Sequence, residues 1–315
     1  MRGLFGLAIA GMLAACGAAA AQDRLKVAVG GQRGVGESFP SELGAAAGIF
    51  KKHGIDLEVL YTDSTGETLQ AVIARGAQIG YAAGFTGVMG PFSKGAPLRV
   101  IGSSFTGGSQ LYWYVRADSP IRSVRDAEGK TVAYSSTGSS AHTSVQALLK
   151  YSGVAFKPTP TGSTPSTYAA VMSGQVDVGW AGAPFGVEQL QKGEIRMVWK
   201  ANAAPDMDKQ TIRVIVAHAD DLKARRELYV RYLKAYVETQ DWVYGTPEGL
   251  KAYAAWANLS EGAAKAALDE FMPRSAVDPY RIAGVEEALT DAVNFKYTAE
   301  RLTKAQVEEL IQIAK

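Results

Sequence analysis

Cysteine is nearly absent from this chain of 315 residues: Cys16 is the only one. One thiol permits no intramolecular disulfide framework and no Cys-rich metal site. Histidine is almost as scarce, with three scattered residues that make no ligand cluster. Net charge is also small, +2, so neither nucleic acid nor a polyanionic surface is an expected partner. The glycines of the first loop, Gly30, Gly31, Gly34 and Gly36, lack the G-x-G-x-x-G spacing of a dinucleotide site, which leaves no cofactor to expect. No Ser/His/Asp arrangement and no carboxylate pair stands out, so catalysis is not expected. What remains open is a small ligand.

The length favours two domains with substantial cores, and the hydrophobic content of 47% suits that. Arg2 followed by the apolar stretch Gly3 to Ala15 and a run of small residues has the layout of a secretory signal peptide covering 1–21. It is too short to span a membrane in a mature protein. Ala19, Ala20 and Ala21 suit ordinary cleavage, whereas Leu13 to Cys16 is similar to a lipobox in which Cys16 would carry a lipid anchor. Export follows on either reading. Losing this segment removes one basic residue, leaving 32 basic against 31 acidic, a net +1.

Residues 62–88 recur without a gap as 161–187, with ten identities in 27 positions. Thr62, Ser64, Thr65, Thr68, Ala71, Val72, Gly80, Ala82, Gly87 and Val88 each meet their own type 99 residues later. One α/β unit used twice explains a period too long for a solenoid. Each copy reads as strand, hydroxyl-rich loop, helix, glycine stop and strand. The Ser and Thr residues at the loops serve as helix caps, and they also face a ligand if the strands end at a cleft.

Strands are expected at Leu25 to Val29, Leu98 to Gly102, Leu111 to Val115, Lys130 to Tyr134, Ile195 to Trp199 and Arg213 to Ala217. Helices are expected at Ser41 to Lys52 and Ala141 to Tyr151. From Asp221 onward the chain reads as helical, with segments Asp221 to Tyr244, Pro247 to Ala257, Glu261 to Phe271, Ile282 to Val293 and Lys304 to Ile313, supplying packing more than chemistry. The loop Ser135 to Ser140 before the Ala141 helix is the best anion-site candidate, because helix N–H groups, the dipole and dense hydroxyls favour negative charge.

Several segments together resemble the solute-binding proteins of bacterial ABC importers, of the nitrate/sulfonate/taurine type. They are Leu43 to Val59 (LGAAAGIFKKHGIDLEV), Ile121 to Ser140 (IRSVRDAEGKTVAYSSTGSS) and Gly174 to Pro184 (GQVDVGWAGAP), and the similarity extends from Leu25 to about Leu259. The resemblance implies an α/β, periplasmic-binding-protein type II-like fold: two α/β domains joined by two crossing strands, with the ligand between them. Residues 22–114 and 216–315 would form domain I and 115–215 domain II, with Leu111 to Val115 and Arg213 to Ala217 as the crossings. It further implies a monomer in the periplasm that hands a small anionic solute to an inner-membrane ABC permease. The expected ligand contacts are Gln32, Ser64, Thr65, Phe85, Thr86, Thr106, Thr137, Ser139, Ser140, Trp180 and Arg213. Arg33 and His142 are weaker candidates. A ligand-sensing module for a membrane receptor is the alternative. A pyrimidine-precursor binding or synthesis protein is a further one, although that related branch uses a Cys-rich iron segment this chain lacks.

Overall fold

A computed structural model describes residues 22–31, 33, 34, 36 and 38–315. The segment expected to be a signal peptide, with Cys16, and Gln32 in the first loop, lie outside the described residues. In chain order the elements are β1 (Asp23–Gly30), α1 (Phe39–Ala46), α2 (Ile49–Lys52), β2 (Ile55–Thr62), α3 (Thr65–Ile73), β3 (Ile79–Gly84), α4 (Phe85–Ser93) and β4 (Leu98–Thr106). Then come β5 (Leu111–Arg116), β6 (Thr131–Tyr134), α5 (Ser140–Ser152), β7 (Lys157–Pro160), α6 (Thr164–Met172), β8 (Gly179–Gly182), α7 (Val187–Gln191), β9 (Ile195–Lys200) and β10 (Thr211–His218). The remainder is helical: α8 (Ala219–Ala224), α9 (Arg226–Gly245), α10 (Pro247–Ala257), α11 (Glu261–Phe271), α12 (Val285–Asn294) and α13 (Lys304–Leu310).

The first sheet runs β2-β1-β3-β10-β4, with β10 antiparallel to both of its neighbours. In the second, β5 lies antiparallel between β8 and β9. The parallel pair β6-β7 joins it where Ala133 N donates to Val178 O (2.8 Å) and Val178 N to Thr131 O (3.0 Å). Read across that junction, the second order is β7-β6-β8-β5-β9. It reproduces the first, with β5 in the place of β10. The chain passes between the sheets at 107–110 and 201–210. Boundaries at 114/115 and 215/216 would therefore cut β5 and β10, each of which lies wholly in one sheet.

The 99-residue echo is a shared set of hydrogen bonds. Thr62 Oγ1 lies 2.7 Å from Thr68 Oγ1 and donates to Val29 O at 3.1 Å. Thr161 Oγ1 lies 2.6 Å from Thr167 Oγ1 and donates to Tyr134 O at 3.2 Å. Each pair ties the end of one strand to the first turn of the next helix and to the neighbouring strand. Gly80 and Gly179 match for a packing reason. A Cβ on Gly80 would meet Val216 at 2.8 Å and Val72 at 3.0 Å, and one on Gly179 would meet Tyr114 and Val171 at 2.7 Å. In both copies the helix valine and a side chain of the central antiparallel strand occupy the space a side chain would need.

The strand β5 is apolar because both its faces are covered: Tyr112, Trp113 and Tyr114 are fully buried. Trp113 stacks on Trp199 at 6.3 Å between ring centroids and donates to Ala133 O at 2.8 Å. Burial of side chains this large stabilises by roughly 1.5–3 kcal/mol each.

Three expected elements differ. The helix expected over Ser41 to Lys52 breaks between α1 and α2, where Gly48 takes the left-handed conformation (φ 74°) after Ala47 N closes on Leu43 O. The strand expected to end at Gly102 continues to Thr106, because β10 pairs with it along its whole length, Thr211 opposite Thr106. The helix expected from Asp221 to Tyr244 is divided at Arg225 into α8 and α9.

Candidate functional site

A cavity of about 90 Å³ lies between the two sheets. One water needs about 10–15 Å³ on this kind of measure, so the space admits a small ligand. Its walls are the N-terminal ends of four helices, two carried by each sheet. Ser38 precedes α1, Ser64 and Thr65 open α3, Ser139 and Ser140 open α5, and Ser163 and Thr164 open α6. Three of these serines cap as the sequence suggested. Ser64 Oγ accepts from Glu67 N (3.2 Å), Ser139 Oγ from His142 N (3.1 Å) and Ser163 Oγ from Ser166 N (3.3 Å). Capping and facing the cavity are therefore the same placement.

Converging helix N-termini present partial positive charge and backbone donors to one point. At roughly 0.3–1 kcal/mol each, four of them contribute about 1–4 kcal/mol toward an anion. Among the described lining residues Arg213 is the one cation and Asp63 the one carboxylate, with Asp63 exposed at the rim. Arg213 reaches in from β10, buried, with Nε donating to Ser140 Oγ at 2.8 Å and Nη1 donating to Gln110 Oε1. Trp180, also buried, lines the far wall, and its Nε1 has no hydrogen-bond partner.

Six residues expected at the ligand are brought together here: Ser64, Thr65, Ser139, Ser140, Trp180 and Arg213. Four are not. Phe85 is 1% exposed and packs with Leu69, Val72, Val88 and Met89 in a core cluster of the first sheet. Thr86 is buried against Thr143, the hydroxyls 2.7 Å apart, beside the cavity but not in its wall. Thr106 is spent in a hydroxyl ladder with Ser103 (3.2 Å) and Thr211 (2.8 Å) at the passage between sheets. Thr137 is exposed, turned outward ahead of Gly138, whose φ of 85° redirects the chain. Gln32 lies outside the described residues.

Arg33 also faces away, pairing with Glu42. Burial raises the proton affinity of the Glu42 carboxyl, but hydrogen bonds from Tyr61, Arg33 and Trp256 outweigh it and hold the group below the usual carboxylate range. His142 is one turn behind the cavity wall rather than in it.

Of the other lining residues, Ser38 and Asp63 were not expected at the ligand, whereas Ser135 and Ser136 belong to the expected anion loop and Ser163 and Thr164 to the second copy of the repeat. For Ser163 and Thr164 the signal was present, since the repeat pairs them with Ser64 and Thr65. Ser38 carried a weaker one: it stands before Phe39 and Pro40, and proline in a first turn marks a helix start.

A family profile described as NMT1/THI5 like matches residues 40–250, more than half of the sequence. The chain belongs to the NMT1/THI5-like family. No curated protein sequence matches it. Among solved structures, this family member is similar to the alkanesulfonate-binding protein SsuA from Xanthomonas axonopodis pv. citri bound to MOPS. The TM-score is 0.75 at 16% identity, covering 94% of this chain and 100% of that one. It is also similar to the periplasmic nitrate-binding protein NrtA from Synechocystis PCC 6803, with a TM-score of 0.70 at 13% identity and coverage of 92% and 86%. The desulfurization enzyme DSZB follows at a TM-score of 0.62, 17% identity, and coverage of 90% and 96%. At such identities the likeness shows the fold, which is that of the periplasmic binding proteins.

Proposed function

We propose that the chain is the substrate-binding component of an ABC import system, capturing a small anion with a short organic body. A sulfonate, a taurine-like compound or a carboxylate would suit it, with nitrate as the bare inorganic case. The observation that carries this reading is the convergence of four helix N-termini and Arg213 on one enclosed space between two sheets joined by two short passages. SsuA and NrtA, which share the fold, are named as binders of such anions. In this reading Ser64, Thr65, Ser139, Ser140 and Arg213 hold the anionic group, Trp180 lies against the organic body, and the half built on the first sheet closes against the half built on the second. The protein works as a periplasmic monomer, and its closed form is what the membrane permease receives.

Binding without chemistry is favoured by how the hydroxyls are used. Ser64, Ser139 and Ser163 each accept from a helix N–H, and among the described lining residues no histidine or cysteine stands beside them. Titration calorimetry with short alkanesulfonates, carboxylates, taurine and nitrate tests the reading. Micromolar binding, about 8 kcal/mol, is expected for at least one anion and is lost when Ser139 and Ser140 are both changed to Ala. A protein that binds none of them, or binds a neutral analogue as well, refutes it.

A further inference from the structure

Behind the cavity wall, one turn into α5, a second set of contacts joins the two sheets without lining the cavity. His142 Nδ1 lies 2.6 Å from the hydroxyl of Tyr297, which follows α12 and so belongs to the first sheet's side. The same hydroxyl is 3.2 Å from Thr143 Oγ1, and Thr143 Oγ1 is 2.7 Å from Thr86 Oγ1 on α4. Gly138 N also points at His142 Nδ1, at 3.5 Å. That backbone N–H can only donate, so Nδ1 is an acceptor and the ring proton sits on Nε2, which requires the Gln146 side-chain amide, whose nitrogen lies 3.2 Å from Nε2, to turn its oxygen toward the ring. Gly138 is in turn a point of close approach between the two halves: a Cβ on Gly84 or Gly87 would fall 2.4 or 2.0 Å from its carbonyl oxygen.

We propose that His142 and Tyr297 are positioning residues that clamp the anion-facing end of α5 against α4, and that through them ligand capture depends on pH. This rests on the reading of the cavity as an anion site that closes. A proton added at Nδ1 confronts the Gly138 N–H with a second donor and forces the Tyr297 hydroxyl to turn from donor to acceptor. The imidazole neighbours Tyr134 (rings 4.6 Å apart), Tyr297 and Gln146 are uncharged. Of the charged groups near these elements, Asp291 on α12 bears on Tyr297 and Lys150 on α5 bears on Asp291. The N-terminal turn of α5 adds the positive end of a helix dipole, which disfavours a cation there. Burial accordingly lowers the proton affinity of His142 below its ordinary value.

The closed form therefore selects the neutral imidazole, while an opened cleft exposes the ring to water. Closure is fully supported above the ordinary histidine pKa of about 6.5 and is lost as pH falls below it, by up to about tenfold per pH unit until the depressed pKa of the closed form is reached.

The test is a ligand-free distance measurement on the full chain with Cys16→Ser, labelled for energy transfer at Leu60→Cys and Met172→Cys, one exposed site on each sheet's side. Between about pH 8 and about pH 5 the open fraction is expected to rise in this protein and stay flat in His142→Gln. Tyr297→Phe is expected to be more open at every pH. If His142→Gln does not fold, Thr143→Val serves in its place: it removes the hydroxyl between Thr86 and Tyr297 and should open the cleft while keeping the titration. The same pH profile in His142→Gln as in the parent, or no opening in Tyr297→Phe and Thr143→Val, overturns the proposal. Calorimetry with a short alkanesulfonate on the same samples separates the two ideas. A distance that responds to pH in a protein that binds no anion sinks the transport reading and leaves the clamp standing.

Discussion

Replacing Gly87 with alanine should weaken ligand binding without weakening the fold. Gly87 lies in the first turn of α4, where its backbone is helical and alanine is locally better by about 1 kcal/mol. The added Cβ, however, would sit 2.0 Å from Gly138 O, and recovering an ordinary contact of 3.4 Å requires the α5 loop to retreat by about 1.4 Å. Overpacking of this kind costs about 1–3 kcal/mol. An arrangement in which the sheets separate is free of the clash, so the cost falls on the closed form. Affinity for the cognate anion should then drop about fivefold to 150-fold, while ligand-free melting holds or rises. Calorimetry and thermal melting of Gly87→Ala check both halves. Unchanged affinity in a folded protein, or a loss of ligand-free stability with affinity intact, would refute the argument that this contact belongs to the closed form.

Changing Arg213 to Met removes the cation of the cavity wall. Loss of charge-assisted hydrogen bonds worth about 1.5–3 kcal/mol should reduce anion affinity roughly 10- to 150-fold by calorimetry, and a neutral ligand would show no such loss. Thr62→Val and Thr161→Val each delete the hydroxyl of a matched bonding set, so each should cost about 1–2 kcal/mol in denaturant unfolding. Markedly unequal values would mean the echo is not energetic. Burial raises the Asp291 carboxyl above the usual range, with its hydrogen bond from Gln210 opposing this in part. The folded state thus holds this proton more tightly than the unfolded chain, and stability should fall as pH rises above the ordinary aspartate value. Asp291→Asn should flatten that part of the stability profile and be more stable than the parent at neutral pH in melting experiments.

Where local signals are strong, the elements were legible from residues alone. Helices α10 and α11 occupy the expected spans because Thr246 with Pro247, and Ser260, mark their starts by capping. Helix α4 was not anticipated: its sequence, FTGVMGPFS, carries two glycines and Pro91 and has no helical punctuation to read. Within the site, the repeat pointed to both walls, since strand ends with hydroxyl caps must lie at the same edge of each sheet. The misplacements share a cause. Phe85 and Thr86 sit next to a strand end in sequence, yet whether such a residue faces core or cavity depends on helix α4 and on partners 57 residues away. The His142 and Tyr297 contact spans 155 residues, a separation that no periodicity encodes.

Arg213 is never idle in the structure: it already serves Ser140 from the second sheet and Gln110 from one of the passages between sheets. A ligand that recruits this guanidinium must therefore win it from internal partners rather than from water. A neutral guest offers acceptors no stronger than those of Ser140 and Gln110, and gains little by the exchange. An anion offers a stronger one, because hydrogen bonds between two charged groups exceed those with a neutral acceptor. The internal bonds thus set a threshold that filters guests by charge, and because one of them reaches into a passage, any guest that clears it also changes the restraint on the joint between the two halves.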